Sequence, residues 1–282
     1  MSLLAGLATP QESAAQSFAG PVEVGPDRAL WAECAGRGGP VVLLEAGAGS
    51  SAATWDTVWD ELTALTRTCR YDRAGLGRSA PAPHSRPAGV SEPVDAVVAD
   101  LEALIPALGI DGELVLVGHS AGGLYVRLYA HRHPDAVVGM VLVDALDERH
   151  RGRVLALSAP SAPEDARAWA EYVADQRRRQ VRTADGEDEV VVLMRPARDL
   201  GDLPLEVLSA ADPMGPPPEG FARGMIEQME ALWLTGQVAL ARMSADARHT
   251  VVEDTGHNLH RQRPDAVVAA VRRLVERARR EP

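Results

Sequence analysis

Three nearly unbroken apolar runs, VVLLEA (41–46), ELVLVG (113–118) and GMVLVD (139–144), are each followed by a helical pattern or a turn. Runs of this kind suit strands buried on both faces, which is the environment of a parallel sheet covered by helices. The intervening segments carry helical periodicity. Trp55, Val58, Trp59, Leu62 and Leu65 share one helical face. Val94, Val97, Leu101, Leu104 and Leu108 share another, opened by Pro93 and stopped by Gly109. Strands alternating with amphipathic helices predict an α/β fold with a mainly parallel sheet. The length of 282 residues is enough to bury the core such a fold needs without a metal or disulfide as a staple.

Residues 1–20 are rich in Ala, Ser and Gln and read as a loosely held arm. Two short strands are expected between Pro21 and Ala35, joined by Gly25-Pro26-Asp27, and another at RTCRYD (67–72). The Pro-rich stretch 80–93 reads as a loop. The alternation pauses at 145–200, a charged segment with a helix expected from Glu164 to Arg182. It resumes with LPLEVL (203–208), a helix near 219–243, HTVVED (249–254) and a last helix from Pro264 to Arg280. The expected organisation is a core of 21–144 and 201–282, with 145–200 forming a small helical cap; long segments of this kind are commonly lids.

The net charge of −11 argues against nucleic acid and anionic membranes as partners. All 29 basic residues are Arg. The absence of Lys excludes Schiff-base chemistry, P-loop phosphate binding and Ser–Lys amidases. Cys34 and Cys69 belong to no C-x-x-C pair and read as lone, buried thiols in a reducing, cytoplasmic setting. The N-terminal run lacks a basic flank, so it makes a poor signal peptide, and no stretch is long enough to span a membrane.

Gly118-His119-Ser120-Ala121-Gly122 lies between a strand and a helix. A strand-to-helix turn this sharp strains its central residue and demands small residues two positions away on either side, while it lifts the Ser hydroxyl clear of the sheet. A Ser hydroxyl needs a general base. His257, just beyond strand 249–254, is the candidate, because parallel strands bring their carboxyl ends to one edge. A buried carboxylate must orient that base. Asp144 and Asp212 compete for the role; Asp144 directly adjoins its strand and is favoured, whereas Asp212 lies in a Pro-containing turn. The one that loses has the ordinary task of a turn former or cap. An oxyanion hole requires two backbone amides. Ala121 follows the nucleophile, and Ala48 is the best placed in the loop after strand 41–46.

GHSAGG (118–123), the segment Tyr71-Asp72-Arg73-Ala74-Gly75-Leu76-Gly77-Arg78-Ser79, His133-Pro134-Asp135 leading into VLVD, and Gly256-His257 together resemble the α/β-hydrolase family from about residue 21 to 280. The resemblance implies a mostly parallel eight-stranded sheet flanked by helices and a Ser–His–acid triad. The chain departs from the family in having Ala46-Gly47 where many members carry His-Gly, and in the spacing around Asp212; Asp144 occupies the place some members use instead.

The expected activity is hydrolysis of a carboxylic ester or lactone of a small acyl compound by Ser120, Asp144 and His257, with no cofactor or metal. An acyltransferase or small peptidase would use the same parts, and a binding protein on the same fold is the reading from another class. Trp169, Tyr172, Leu193, Met194, Met225, Met229 and Trp233 either line a pocket or, more commonly for such residues, pack the cap on the core. Arg177–Arg179 either selects an acidic substrate or, as is more common for such a run, forms a solvated helix face.

Overall fold

A computed structural model describes residues 17–86, 92–160, 163–178, 180–215 and 223–280. The strands are β1 (Phe18–Gly25), β2 (Arg28–Ala35), β3 (Val41–Glu45), β4 (Thr68–Tyr71), β5 (Leu114–His119), β6 (Val137–Val143), β7 (Leu205–Asp212) and β8 (Ala247–Gly256). They form one eight-stranded sheet in the order β1-β2-β4-β3-β5-β6-β7-β8. The β1–β2 and β2–β4 pairs are antiparallel and the remaining pairs parallel. Residues 1–16 of the expected arm lie outside the described residues, and Phe18–Gly20 already belong to β1.

The helices are α1 (Asp56–Leu65), α2 (Val94–Ala107), α3 (Gly122–Arg132), α4 (His150–Leu155), α5 (Pro163–Arg178), α6 (Glu189–Leu193), α7 (Arg223–Ala241), α8 (Leu259–Gln262) and α9 (Pro264–Ala278). Side chains alternate across the sheet, so Leu43, Leu116 and Leu142 meet α2 and α3 on one face. Val42, Leu44, Val117 and Val143 meet α1 and α9 on the other. Both faces are covered, which is why the strands read as continuous apolar runs rather than as alternation. Each fully buried Leu contributes about 1.5–3 kcal/mol.

Between β6 and β7 the chain forms α4, α5 and α6. Val154 of α4 and Trp169 of α5 pack on Met225, Ile226 and Met229 of α7, with Tyr172 and Val173 alongside. The helical layer expected from 145–200 therefore includes the first half of α7. Trp169, Met225 and Met229 are buried in this packing, and Met194 is buried in the main core. Arg178 is exposed and pairs with Asp175, as on a solvated face; Arg179 lies outside the described residues.

Cys34 and Cys69 depart from expectation. They are direct partners across the antiparallel β2–β4 pair and form a disulfide. Adjacency in the sheet skips β3, so nothing in the linear spacing signals it. The step from free thiols to a reducing compartment loses its premise. Among the described residues, no helix is long and apolar enough to cross a membrane.

Candidate active site

β5 delivers its last residue, His119, into a turn, and α3 begins at Gly122. Ser120 between them has φ of 52°, the left-handed region that non-glycine residues enter at a cost. Its carbonyl is fixed by the amides of Gly123 at 3.0 Å and Leu146 at 2.9 Å. The flanking glycines are required by space. A Cβ on Gly118 would lie 2.7 Å from Val126 Cγ2, and one on Gly122 would lie 2.6 Å from the carbonyl oxygen of Glu45.

β6 and β8 bring their carboxyl ends to the same edge as β5. Asp144, directly after β6, has φ of 41° and a fully buried side chain. His257, directly after β8, bridges the two: Nδ1 is 2.7 Å from Asp144 Oδ2 and Nε2 is 2.9 Å from Ser120 Oγ. A carboxylate only accepts, so Nδ1–H donates to Asp144 and Nε2 is left to accept the Ser120 hydroxyl. The other oxygen, Asp144 Oδ1, accepts from the Ala210 amide at 3.1 Å and from Trp233 Nε1 at 2.9 Å. Asp212 is not part of this series. It is exposed at the end of β7, and its carboxylate accepts the Gly215 amide at 2.9 Å, as a turn former does.

Two further histidines pack behind His257. His119 Nε2 donates to the His257 carbonyl at 2.9 Å, and its ring lies 4.3 Å from that of His260. Burial, reinforced by His260 and His257, pushes His119 down to about 3. Burial also lowers His260, to about 4, with Arg261 and His257 adding to it. His260 Nε2 is 2.9 Å from Thr54 Oγ1, which ties the segment before α1 to α8. Among the described residues, no group of three or more His, Cys, Asp or Glu is arranged to hold a metal ion.

Ala121 is buried at the start of α3, and Ala48 is exposed in the loop after β3. The preceding residue, Gly47, packs on His119 and Ser120: a Cβ there would lie 2.9 Å from His119 Nδ1 and 3.2 Å from Ser120 Cβ. The segment 71–79 forms an ordered turn beside this loop. Asp72 accepts the amides of Ala52 at 2.6 Å and Arg78 at 2.9 Å. Motif reading missed two contacts here: Trp233 on Asp144, and the buried Arg73 on the carbonyls of Ala46 and Gly47. Trp233 was legible only as an apolar residue, and Arg73 only as a letter in the 71–79 motif.

A cavity of about 760 Å³ lies elsewhere, at the amino ends of β5, β6 and β7, lined by Glu113, Val137, Leu203, Pro204 and Arg277 among others. It holds none of the hydroxyl–imidazole–carboxylate series.

A doubly covered, mostly parallel sheet with a strained serine, a histidine and an acid at its carboxyl edge defines a hydrolase scaffold. The profile of the alpha/beta hydrolase family matches residues 41–270, and the chain belongs to that family and is a hydrolase. It is 24% identical to YqjL of Bacillus subtilis (strain 168) over 247 residues, 84% of this chain and 83% of that protein. It is 32% identical to the human (lyso)-N-acylphosphatidylethanolamine lipase over 138 residues, 48% of this chain and 37% of the lipase. Several other curated relatives are likewise spanned over only 16% to 39% of their length. Among solved structures, the N-acyl homoserine lactone degrading enzyme Est816 matches with a TM-score of 0.61 at 15% identity, over 90% of this chain and all of Est816.

Proposed function

We propose that the protein is a serine hydrolase that cleaves a carboxylic ester or lactone of a small molecule through an acyl-enzyme. The observation that carries this reading is the unbroken series Ser120 Oγ–His257 Nε2 and His257 Nδ1–Asp144 Oδ2, at 2.9 and 2.7 Å. Ser120 attacks the carbonyl carbon while its proton passes to His257 Nε2. Buried Asp144 holds the ring in the required tautomer and stabilises the imidazolium that forms. The amides of Ala48 and Ala121 donate to the oxyanion. Collapse breaks the C–O bond, and His257 returns the proton to the leaving alkoxide. Water then attacks the acyl-enzyme with His257 as base, releasing the acid and restoring Ser120. The lipase and lactone-degrading names among the relatives agree with an acyl substrate.

The test is turnover of p-nitrophenyl esters of graded chain length and of a lactone panel by wild type and Ser120→Ala. Turnover by wild type that Ser120→Ala abolishes supports the reading, and stoichiometric phosphonate labelling of Ser120 extends it to narrow substrates. An unlabelled Ser120 together with no turnover overturns it in favour of a binding protein.

A further inference from the structure

The loop after β3 is held from behind by a buried cation. Arg73 follows β4, which neighbours β3 on the side away from β5. Its side chain is 3% exposed and donates to the carbonyl oxygens of Ala46 at 2.7 Å and Gly47 at 2.6 Å. Ser120 comes from β5, on the opposite side of the loop, where a Cβ on Gly47 would approach Ser120 Cβ to 3.2 Å. The Gly47–Ala48 peptide unit is thus flanked by a guanidinium on one side and the nucleophile on the other. In a trans peptide the C=O and the N–H point in opposite directions. A Gly47 carbonyl turned to Arg73 therefore turns the Ala48 N–H toward Ser120. A cation on the carbonyl oxygen also draws electron density from the amide and strengthens that N–H as a donor, more so where the dielectric is low.

We propose that Arg73 is a positioning residue of the Ser120 reaction, one that aims and polarises the Gly47–Ala48 peptide so that the Ala48 amide donates to the oxyanion. The proposal rests on the serine-hydrolase reading above. The surroundings keep the cation in place. Glu45 and Glu92 both hydrogen-bond the Arg73 guanidinium, and the Tyr125 ring faces it at 5.2 Å. Burial works against the Arg73 charge, but these carboxylates outweigh it and hold the guanidinium above its ordinary range. Tyr71 donates to Glu45 and Tyr125 donates to Glu92, so the carboxylates are themselves anchored. Arg73 spends two of its donors on the carbonyls of the loop that faces the nucleophile.

The test uses the full chain and a matched pair of p-nitrophenyl esters, one with a carbonyl oxygen and one with sulfur in its place. Sulfur accepts hydrogen bonds poorly, so losing an oxyanion donor costs the oxygen ester more. Arg73→Lys is expected to lower kcat on the oxygen ester about ten- to a hundredfold, with KM nearly unchanged, and to shrink the oxygen-over-sulfur preference. Asp212→Asn, at an exposed turn outside this buried set, is expected to keep the preference of wild type. An Arg73→Lys enzyme with the wild-type preference overturns the proposal, because a merely structural role leaves that ratio alone. Should Arg73→Lys fail to fold, the wild-type protein decides. The Ala48 amide proton resonance must move downfield when Ser120 is phosphonylated, and an unmoved resonance overturns the proposal. Failure of the underlying reading looks different: Ser120→Ala would match wild type and no phosphonate would attach.

Discussion

Trp233 Nε1 donates to Asp144 Oδ1 at 2.9 Å, while the other oxygen of the same carboxylate holds His257 at 2.7 Å. A tryptophan of α7 thus fixes Asp144 from the side opposite His257. The Trp233 ring also meets the His257 ring edge-on, at 5.3 Å. Hydrogen bonds to ionised groups are worth about 1.5–3 kcal/mol, and a buried lone pair left without a donor costs a similar amount. Trp233→Phe keeps most of the ring and removes the donor. The expected result is a fall in kcat of about tenfold or more with little change in KM, alongside a drop in stability of roughly 1–3 kcal/mol. Ester kinetics and chemical denaturation of the one variant check both.

The two aspartates make opposite predictions. Asp144→Asn leaves the geometry near the His257 ring intact but removes the charge that favours the working tautomer, and is expected to lower kcat by about four orders of magnitude. Asp212→Asn alters only an exposed turn and is expected to stay within about threefold of wild type, the scale of a surface change. Steady-state rates on the best p-nitrophenyl ester separate the two. A large loss in Asp212→Asn with none in Asp144→Asn would reverse the assignment.

Stability should fall as the solution is acidified through the histidine range. Burial holds His119 at about 3, His260 at about 4 and His150 at about 4, all below the usual histidine value. Their folded forms stay neutral while the unfolded chain binds protons from about pH 6.5 downward. Unfolding near pH 5 should therefore take up roughly one to three protons from these groups, and the unfolding free energy should rise with pH up to about 6.5 and then level. Urea melts at half-unit pH steps give the slope. A flat profile between pH 4.5 and 6.5 would mean that these rings are not buried as neutral species.

Gly122→Ala tests the packing behind the nucleophile. Its Cβ would meet the backbone oxygens of Glu45 and Ala46 at 2.6 and 2.7 Å, and backbone cannot swing aside as a flexible side chain can. The expected cost is about 1–3 kcal/mol of stability, with loss of ester turnover because the same loop carries Ala48. Denaturant midpoints and turnover are the readouts.

Reduction should weaken the fold. The disulfide closes 35 residues of chain between Cys34 and Cys69, which in the chain-entropy account is worth about 3–4 kcal/mol. Cys34→Ser with Cys69→Ser is expected to unfold at correspondingly lower denaturant. Dithiothreitol should move wild type but not the double variant.

Features carried by local pattern were the legible ones. The elbow is a short motif whose strain and small flanking residues follow from one turn, and β8 places His257 by the ordinary rule that parallel strands end together. Sequence reading favours Asp144 over Asp212 because it adjoins its strand directly, and Asp144 is the one that lies 2.7 Å from His257 Nδ1. The rest depends on elements that meet only in the folded chain. Cys34 meets Cys69 because β4, not β3, is the neighbour of β2. Trp233 reaches Asp144 across 89 residues of sequence, and Arg73 reaches Gly47 across 26. α8 is four residues long, too short for a period to show.

α7 takes part in two structures at once. Met225, Ile226 and Met229 near its start pack into the helical layer with α4 and α5, and Trp233, two turns further on, holds Asp144. One rigid rod therefore joins the region that would select a substrate to the carboxylate that would set the rate. A substitution at residues 225–229 would thus act on the surroundings of Asp144 as well as on the helical layer. Changes in the helical layer and changes in the seating of Trp233 on Asp144 would then be inherited together.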